Sequence, residues 1–218
     1  MIGVIPAGGR ADRFGGIYKE LLPIGEREYL FDRSIRRAIA LGADKILVIS
    51  NAQKIIAHTH FIERHMPDLD ITIVARREQD ETLWQGMRSA LRYHQECVMV
   101  LPDTTFTVMQ PIPLPCDFAF GTFMTQEPER YSVIGPRNII QTKQALTGHD
   151  AWAAWGCVYW SRKVSAYWQD QEAVLPYASY DHAFQDAIDT FGLRMFDIED
   201  YHDLGSWEHY QDYICRKG

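Results

Sequence analysis

The sequence predicts an α/β fold with a predominantly parallel sheet, and three observations carry that prediction. Apolar runs alternate with amphipathic stretches in the order strand, loop, helix, strand, helix, strand, helix, strand. A glycine-rich loop follows the first run, Pro6-Ala7-Gly8-Gly9, in the place where open α/β sheets bind ligands. After Asp103 the rhythm changes, and a Pro-rich break at Pro111-Ile112-Pro113-Leu114-Pro115 gives way to further strands. The length of 218 residues fits a single domain over 1–218, with residues 1–110 and 111–218 as its two halves.

Each element has its own signal. Ile2–Pro6, Lys45–Ser50, Ile71–Ala75 and Cys97–Leu101 are short apolar runs of the kind buried in parallel sheets. Leu30–Leu41, Lys54–Arg64 and Thr82–His94 read as the intervening helices. In the last, Leu83, Met87, Ala90 and Leu91 recur at i, i+4, i+7 and i+8 on one face. Beyond the Pro-rich break, Phe118–Thr125, Tyr131–Ile134 and Trp152–Trp160 carry the aromatic and β-branched residues of strands. A helix near Tyr180–Thr190, a strand at Arg194–Ile198 and a terminal helix from Ser206 complete the chain, with the Ser206 hydroxyl suited to cap that helix. Trp152, Trp155, Trp160 and Trp168 are expected in the core.

Composition narrows the function. With 46% hydrophobic and 23% charged residues, the chain can bury a full core, which excludes disordered, collagen-like and coiled-coil readings. No run approaches the roughly 20 apolar residues of a membrane span, and the amino terminus lacks the charge and length of a signal peptide, so a cytoplasmic protein away from membranes is expected. Cys97, Cys116, Cys157 and Cys215 lie far apart with no Cys-x-x-Cys pair, the pattern of reduced thiols rather than a zinc site. Twenty-two Lys and Arg against 29 Asp and Glu give a net charge of −7, which argues against nucleic-acid binding. A phosphate-bearing ligand must then be held by a local constellation.

The loop after the first strand offers one. Adjacent glycines let backbone N–H groups approach phosphate oxygens, and Arg13 and Lys19 follow within the same loop. Neither a Walker loop nor a G-x-G-x-x-G fingerprint is present. Asp103, at the end of the Cys97–Leu101 run, would face the ligand crevice, where a hard carboxylate can hold Mg²⁺ against phosphates. In the loop Arg76–Thr82, the Gln79 amide offers both a donor and an acceptor to the edge of a pyrimidine.

Ala7-Gly8-Gly9 with Arg13, followed by Lys19-Glu20-Leu21-Leu22-Pro23, resembles the signature of the sugar-phosphate nucleotidyltransferases, the nucleotide-sugar pyrophosphorylases that include glucose-1-phosphate thymidylyltransferase. The resemblance continues in order along the chain. Glu127-Pro128-Glu129-Arg130-Tyr131-Ser132-Val133-Ile134 is similar to the family's sugar-facing Asp-Pro-x-x-Tyr-Gly-Val-Val strand. Gln141-Thr142-Lys143 stands in the place of its Glu-Lys-Pro, Trp155-Gly156-Cys157 resembles its glycine-containing strand beside the sugar, and Asp203-Leu204-Gly205-Ser206 is similar to its Asp-x-Gly-Thr.

The resemblance implies a Rossmann-like, GT-A-like three-layer α/β/α fold. It implies Ala7, Gly8, Gly9, Arg13, Lys19 and Gln79 around the nucleotide, with Arg13, Lys19 and Asp103 catalytic. Thr104, Tyr131, Ser132, Thr142, Lys143 and Gly156 would meet the sugar phosphate, and Asp103 with Asp203 would share one Mg²⁺. The implied reaction moves a nucleoside monophosphate from a triphosphate, dTTP or UTP, to a sugar 1-phosphate, releasing pyrophosphate.

Departures concentrate in two places. Ala11 and Asp12 replace Gly and Thr in the phosphate loop, and a carboxylate beside a triphosphate is repulsive unless compensated. Ser132, Thr104 and Thr142 replace the family's Gly, Asn and Glu near the sugar, which points to an acceptor other than glucose 1-phosphate. A cytidylyltransferase using CTP and a sugar or polyol phosphate is the first alternative, since Thr82–Met87 resembles the helix start of those enzymes. A catalytically silent nucleotide-binding regulator is the second. The sequence leaves open the sugar, the base and whether the chain forms a homo-oligomer.

Overall fold

The computed structural model describes residues 1–9, 14–76, 84, 86, 87, 95–142, 152–174 and 177–217. The first strand, β1 (Ile2–Pro6), is buried along its whole length, as expected of a strand covered on both faces. A short hairpin of β2 (Pro23–Gly25) and β3 (Glu28–Tyr29) leads into α1 (Leu30–Ala40). Then come β4 (Lys45–Ser50), α2 (Ile55–His65) and β5 (Ile71–Ala75). Of the third predicted helix, Trp84, Gly86 and Met87 are helical, and Trp84 and Met87 are fully buried; its other residues lie outside the described ones.

Next follow β6 (Cys97–Val100) and β7 (Thr104–Val108), then β8 (Phe118–Thr125), β9 (Ser132–Ile134) and β10 (Ile140–Thr142). The chain ends with β11 (Trp152–Trp160), α3 (Arg162–Val174), α4 (Tyr180–Phe191), β12 (Arg194–Asp203) and α5 (Trp207–Lys217).

One mixed sheet runs through both halves of the chain in the order β5-β4-β1-β6-β11-β8-β12-β7, with β9 joining β11 and β10 joining β9. The pairs β5/β4, β4/β1, β1/β6 and β8/β12 are parallel, while β11 and β7 run against their neighbours. Side-chain alternation divides the core between the two faces. Val98 and Val100 pack with Phe31, Ile35, Ala38 and Phe61 of α1 and α2. Cys97 and Met99 pack with Val164, Trp168, Phe184 and Ile188 of α3 and α4. The result is the three-layer α/β/α arrangement that the sequence predicts.

Three of the four tryptophans expected in the core are there: Trp160 and Trp168 are fully buried and Trp155 nearly so, with Trp160 and Trp168 meeting edge to face, while the Trp152 side chain lies outside what is described. The four cysteines are free thiols, and burial pushes Cys97 and Cys157 up to about 12, which leaves those two unreactive.

Four elements were not expected from the sequence: the β2–β3 hairpin, β7, β10 and α3. The last strand is also longer than expected, running five residues past Ile198 to Asp203 through a bulge between Glu199 and His202. Asp200 in that bulge takes a positive φ of 51°. The extension carries Asp203 to the site.

Candidate functional site

The chain steps from β1 outward to β4 and β5, then returns to place β6 on the other side of β1. That reversal is a topological switch point, where the loops leaving adjacent strands part and open a crevice. The β1 loop brings Ala7 and Gly9 to it, and the β6 end brings Leu101, Pro102 and Asp103. Together with Lys19, Glu20 and Lys54 they line one cavity. Gly9 is exposed, and among the described residues nothing lies within 4 Å of where its Cβ would be, which leaves its backbone open to a ligand from that side. Gly8 is packed instead, its carbonyl accepting from Asn51 Nδ2 at 3.1 Å.

Lys19 opens a one-turn 3-10 segment, Lys19–Leu21, and its ammonium pairs with the Asp103 carboxylate. The next residue, Glu20, points inward and is 1% exposed. Its Oε1 accepts from Lys54 Nζ and lies against His58 Nε2, both at 2.8 Å, while His58 Nδ1 meets the Ser50 hydroxyl at 2.9 Å. Lys54 Nζ also reaches the Ala7 carbonyl at 3.5 Å. One buried ion pair thus ties the turn bearing Lys19 to the end of β1 and the start of α2. Sequence reasoning missed this network because Glu20 and Lys54 are 34 residues apart and each alone looks like surface charge.

Burial pulls the Glu20 carboxyl upward, but the His58 hydrogen bond and the Lys54 charge outweigh it and hold it below its usual value of 4.5. A depressed carboxylate stabilises the fold above its unfolded pKa, and that contribution disappears as pH falls through the folded value. Lys54→Met should therefore cost about 3–5 kcal/mol at neutral pH by leaving a buried carboxylate uncompensated. Glu20→Gln should flatten the acid limb of stability against pH. Denaturant unfolding from neutral to acid pH checks both, and parallel acid limbs for wild type and Glu20→Gln would contradict the assignment.

Across the crevice, β12 ends beside β7 with Asp203 opposite Thr104, and the Leu204 N–H donates to the Asp103 carbonyl at 2.9 Å. Asp103 and Asp203 line a second cavity with Thr104, Arg130, Tyr131, Ser132, Trp155, Tyr180, Tyr201 and Gly205. Asp203 Oδ1 accepts from the Gly205 N–H at 2.8 Å. A Cβ on Gly205 would lie 2.8 Å from Asp203 Oδ1 and 3.3 Å from Asp103 Oδ2, so the two carboxylates converge on a spot that only glycine leaves open.

The other residues of this second cavity are largely aromatic. Tyr201 is partly buried, stacks on Phe123 with ring centroids 4.0 Å apart and bonds to Thr104. Burial, with the nearby Asp203 and Asp103 charges, raises its pKa well above the ordinary tyrosine value. Tyr131 meets both Phe123 and Tyr201 edge on. Ser132 is buried and bonded to Tyr180, whose own pKa burial pushes up to about 12.

Gly156 is not among the residues lining these cavities. A side chain there would meet the Tyr201 ring at 2.5 Å and Ile198 at 2.6 Å, so its part is to seat Tyr201, which does line the cleft. Of the remaining predicted residues, Arg13, Gln79 and Lys143 lie outside the described ones. Thr142 is the last residue of β10, paired with Ser132 of β9. The Ser206 hydroxyl accepts from the His209 N–H at 3.3 Å, the expected cap on α5.

Residues 3–108 match a family model described as MobA-like NTP transferase domain. No curated protein matches the chain in sequence. Among solved structures, a Bacillus anthracis protein described as a glucose-1-phosphate thymidylyltransferase, in complex with a sucrose, superposes with a TM-score of 0.83 at 17% identity, covering 99% of this chain and 95% of that one. An apo UDP-glucose pyrophosphorylase gives 0.79 at 14% identity, with 99% and 97% covered. The inositol-1-phosphate CTP transferase from T. maritima gives 0.74 at 14% identity, with 99% and 95% covered. At these identities the likeness speaks for the fold, and the family match supports nucleotidyl transfer as the activity. From Gly3 to the end of β7, the stretch that contributes Gly9, Lys19 and Asp103 to the crevice, the chain is similar to the MobA-like NTP transferase domain, and its fold is that of the nucleotidyltransferases.

Proposed function

We propose that the protein transfers a nucleoside monophosphate from a nucleoside triphosphate, dTTP or UTP, to a sugar 1-phosphate. The observation that carries the reading is the meeting of Lys19, Asp103 and Asp203 where a glycine-lined cavity adjoins an aromatic one. A triphosphate laid along Gly9 and Lys19 brings its α-phosphorus toward Asp103. An acceptor on the Tyr131 side brings its phosphate to the same point. In this reading residues 1–110 serve the nucleotide and 111–218 the sugar phosphate, with one reaction centre between them.

The two carboxylates suit Mg²⁺. They offer hard oxygens that converge beside Gly205. Among the described residues no three His, Cys, Asp or Glu side chains cluster, so Asp103 and Asp203 would supply the protein ligands, leaving phosphates and water for the rest. When bound, the ion neutralises phosphate charge and draws electron density from the α-phosphorus.

In the transfer, an acceptor phosphate oxygen forms a bond to the α-phosphorus in line with the bond to the bridging oxygen. That bond breaks, and pyrophosphate leaves with its electron pair. The protein's part is positioning and charge. Gly9 lets the phosphates lie close to the backbone. Lys19, held by the Glu20–Lys54 pair behind it, offsets the charge growing on the bridging oxygen. Asp103 and Asp203 would hold the Mg²⁺ that compensates the charge of the two phosphates, and Tyr131 and Tyr201 present an apolar wall to the face of a sugar ring.

A matrix of dTTP, UTP, CTP, ATP and GTP against glucose 1-phosphate, other sugar 1-phosphates and polyol phosphates, read as pyrophosphate release, tests the proposal. Strongest release with dTTP or UTP and a sugar 1-phosphate is expected. Release with CTP and a polyol phosphate alone would move the assignment to a cytidylyltransferase, and triphosphate binding without release in any pair would make the chain a regulator.

A further inference from the structure

Building on the nucleotidyl-transfer reading, we infer that Arg130 grips the phosphate of the acceptor and is the acceptor-side counterpart of Lys19. Arg130 lines the inner cavity with Asp103 and Asp203, and also an outer cavity with His202, His209 and Arg216. It is braced on three sides. Nη1 pairs with Glu127 Oε2, Nη2 donates to His209 Nδ1 at 3.2 Å, and the guanidinium carbon lies 5.4 Å from the centroid of the Tyr131 ring. A guanidinium has five N–H donors, so these contacts leave donors for a ligand. The side chain is 30% exposed, within reach of one.

Charge completes the case. Burial works against the Arg130 cation, but Tyr131, Glu127 and Asp203 outweigh it and raise its pKa. Asp203 is thus within electrostatic reach of Arg130, as Asp103 is paired with Lys19. Two carboxylates are flanked by one cation each. Transfer between two phosphate groups needs charge compensation on both flanks, and Lys19 serves the donor side. Two of the hydroxyl residues on the acceptor side are committed elsewhere, Ser132 with Tyr180 and Thr104 with both Tyr201 and the Leu101 carbonyl. Among the described residues that line the inner cavity Arg130 is the cation, and the unpartnered Trp155 indole N–H is a neutral donor beside it. A planar fork on two oxygens of a phosphomonoester leaves the third oxygen to attack.

The test reads binding and turnover separately. Glucose 1-phosphate, inositol 1-phosphate and inorganic phosphate are titrated by calorimetry into wild type, Arg130→Gln and Arg130→Lys. Arg130→Gln should weaken the phosphomonoester that wild type binds best by at least 30-fold. Arg130→Lys, which keeps the charge but loses the fork, should weaken it by three- to tenfold. With an active triphosphate, the same factors should appear in the acceptor KM while the triphosphate KM stays within twofold. Phosphomonoester binding within twofold of wild type in Arg130→Gln, equal loss of triphosphate affinity, or no phosphomonoester binding by wild type would each overturn the assignment. Binding that depends on Arg130 without pyrophosphate release from any pair would sustain Arg130 and overturn nucleotidyl transfer.

Discussion

Asp103→Asn should lower turnover at least a thousandfold, about 4 kcal/mol of transition-state stabilisation, while the protein stays folded. The substitution is nearly isosteric, and it spares the Asp103 carbonyl that accepts from Leu204, so the junction between the β6 end and the β12 end survives. What it removes is one of the two carboxylates proposed to hold Mg²⁺ where two phosphates meet, and with it the partner of the Lys19 ammonium. The loss should fall on kcat, because the carboxylate acts on the reacting phosphates rather than on the base or sugar. Pyrophosphate release at saturating substrates, with a thermal melt alongside, decides the matter. A kcat within tenfold of wild type would remove Asp103 from the reaction centre.

Lys19→Met should cost about a hundred- to a thousandfold in kcat, the range seen when one preorganised donor to developing charge is removed. Methionine keeps most of the stem, and the 3-10 turn remains anchored through Glu20 to Lys54 and His58, so the change isolates the ammonium. Two features separate this variant from a loss of fold: unchanged thermal stability, and a pyrophosphate affinity that falls with kcat. A rise confined to the acceptor KM would place Lys19 on the wrong side of the reaction.

The sheet was legible in the sequence wherever burial on both faces left an unbroken apolar run, as in Ile2–Pro6, Lys45–Ser50 and Cys97–Val100. It was less legible where an element hides inside another's pattern. The aromatic residues of β11 run straight on into α3, where Trp168 is a helix residue in the same core. The change of period falls at Ser161, whose side chain accepts from the Lys163 N–H at 3.2 Å. Strand β12 could not be read past Ile198, because the bulge between Glu199 and His202 breaks the alternation just before the strand delivers Asp203.

The site divides in the same way. Glycines, Lys19, Asp103 and Asp203 stand in local motifs with a readable spacing. The Glu20–Lys54–His58 network and the bracing of Arg130 by Glu127 and His209 depend on contacts that only the folded chain creates. Gly156 adds a constraint that the motif alone does not show, because the Tyr201 ring packs where its side chain would be.

The reaction proposed for this cleft joins the α-phosphate of a nucleoside triphosphate to the phosphate of an acceptor. Its most direct test follows the α-phosphorus itself. The protein is incubated with an α-³²P-labelled triphosphate, unlabelled sugar 1-phosphate and Mg²⁺, and the products are separated. Transfer predicts the label in a nucleotide sugar, one pyrophosphate released per label moved, and neither product without the acceptor. Label recovered in free nucleoside monophosphate or diphosphate, at a rate indifferent to the acceptor, would contradict it.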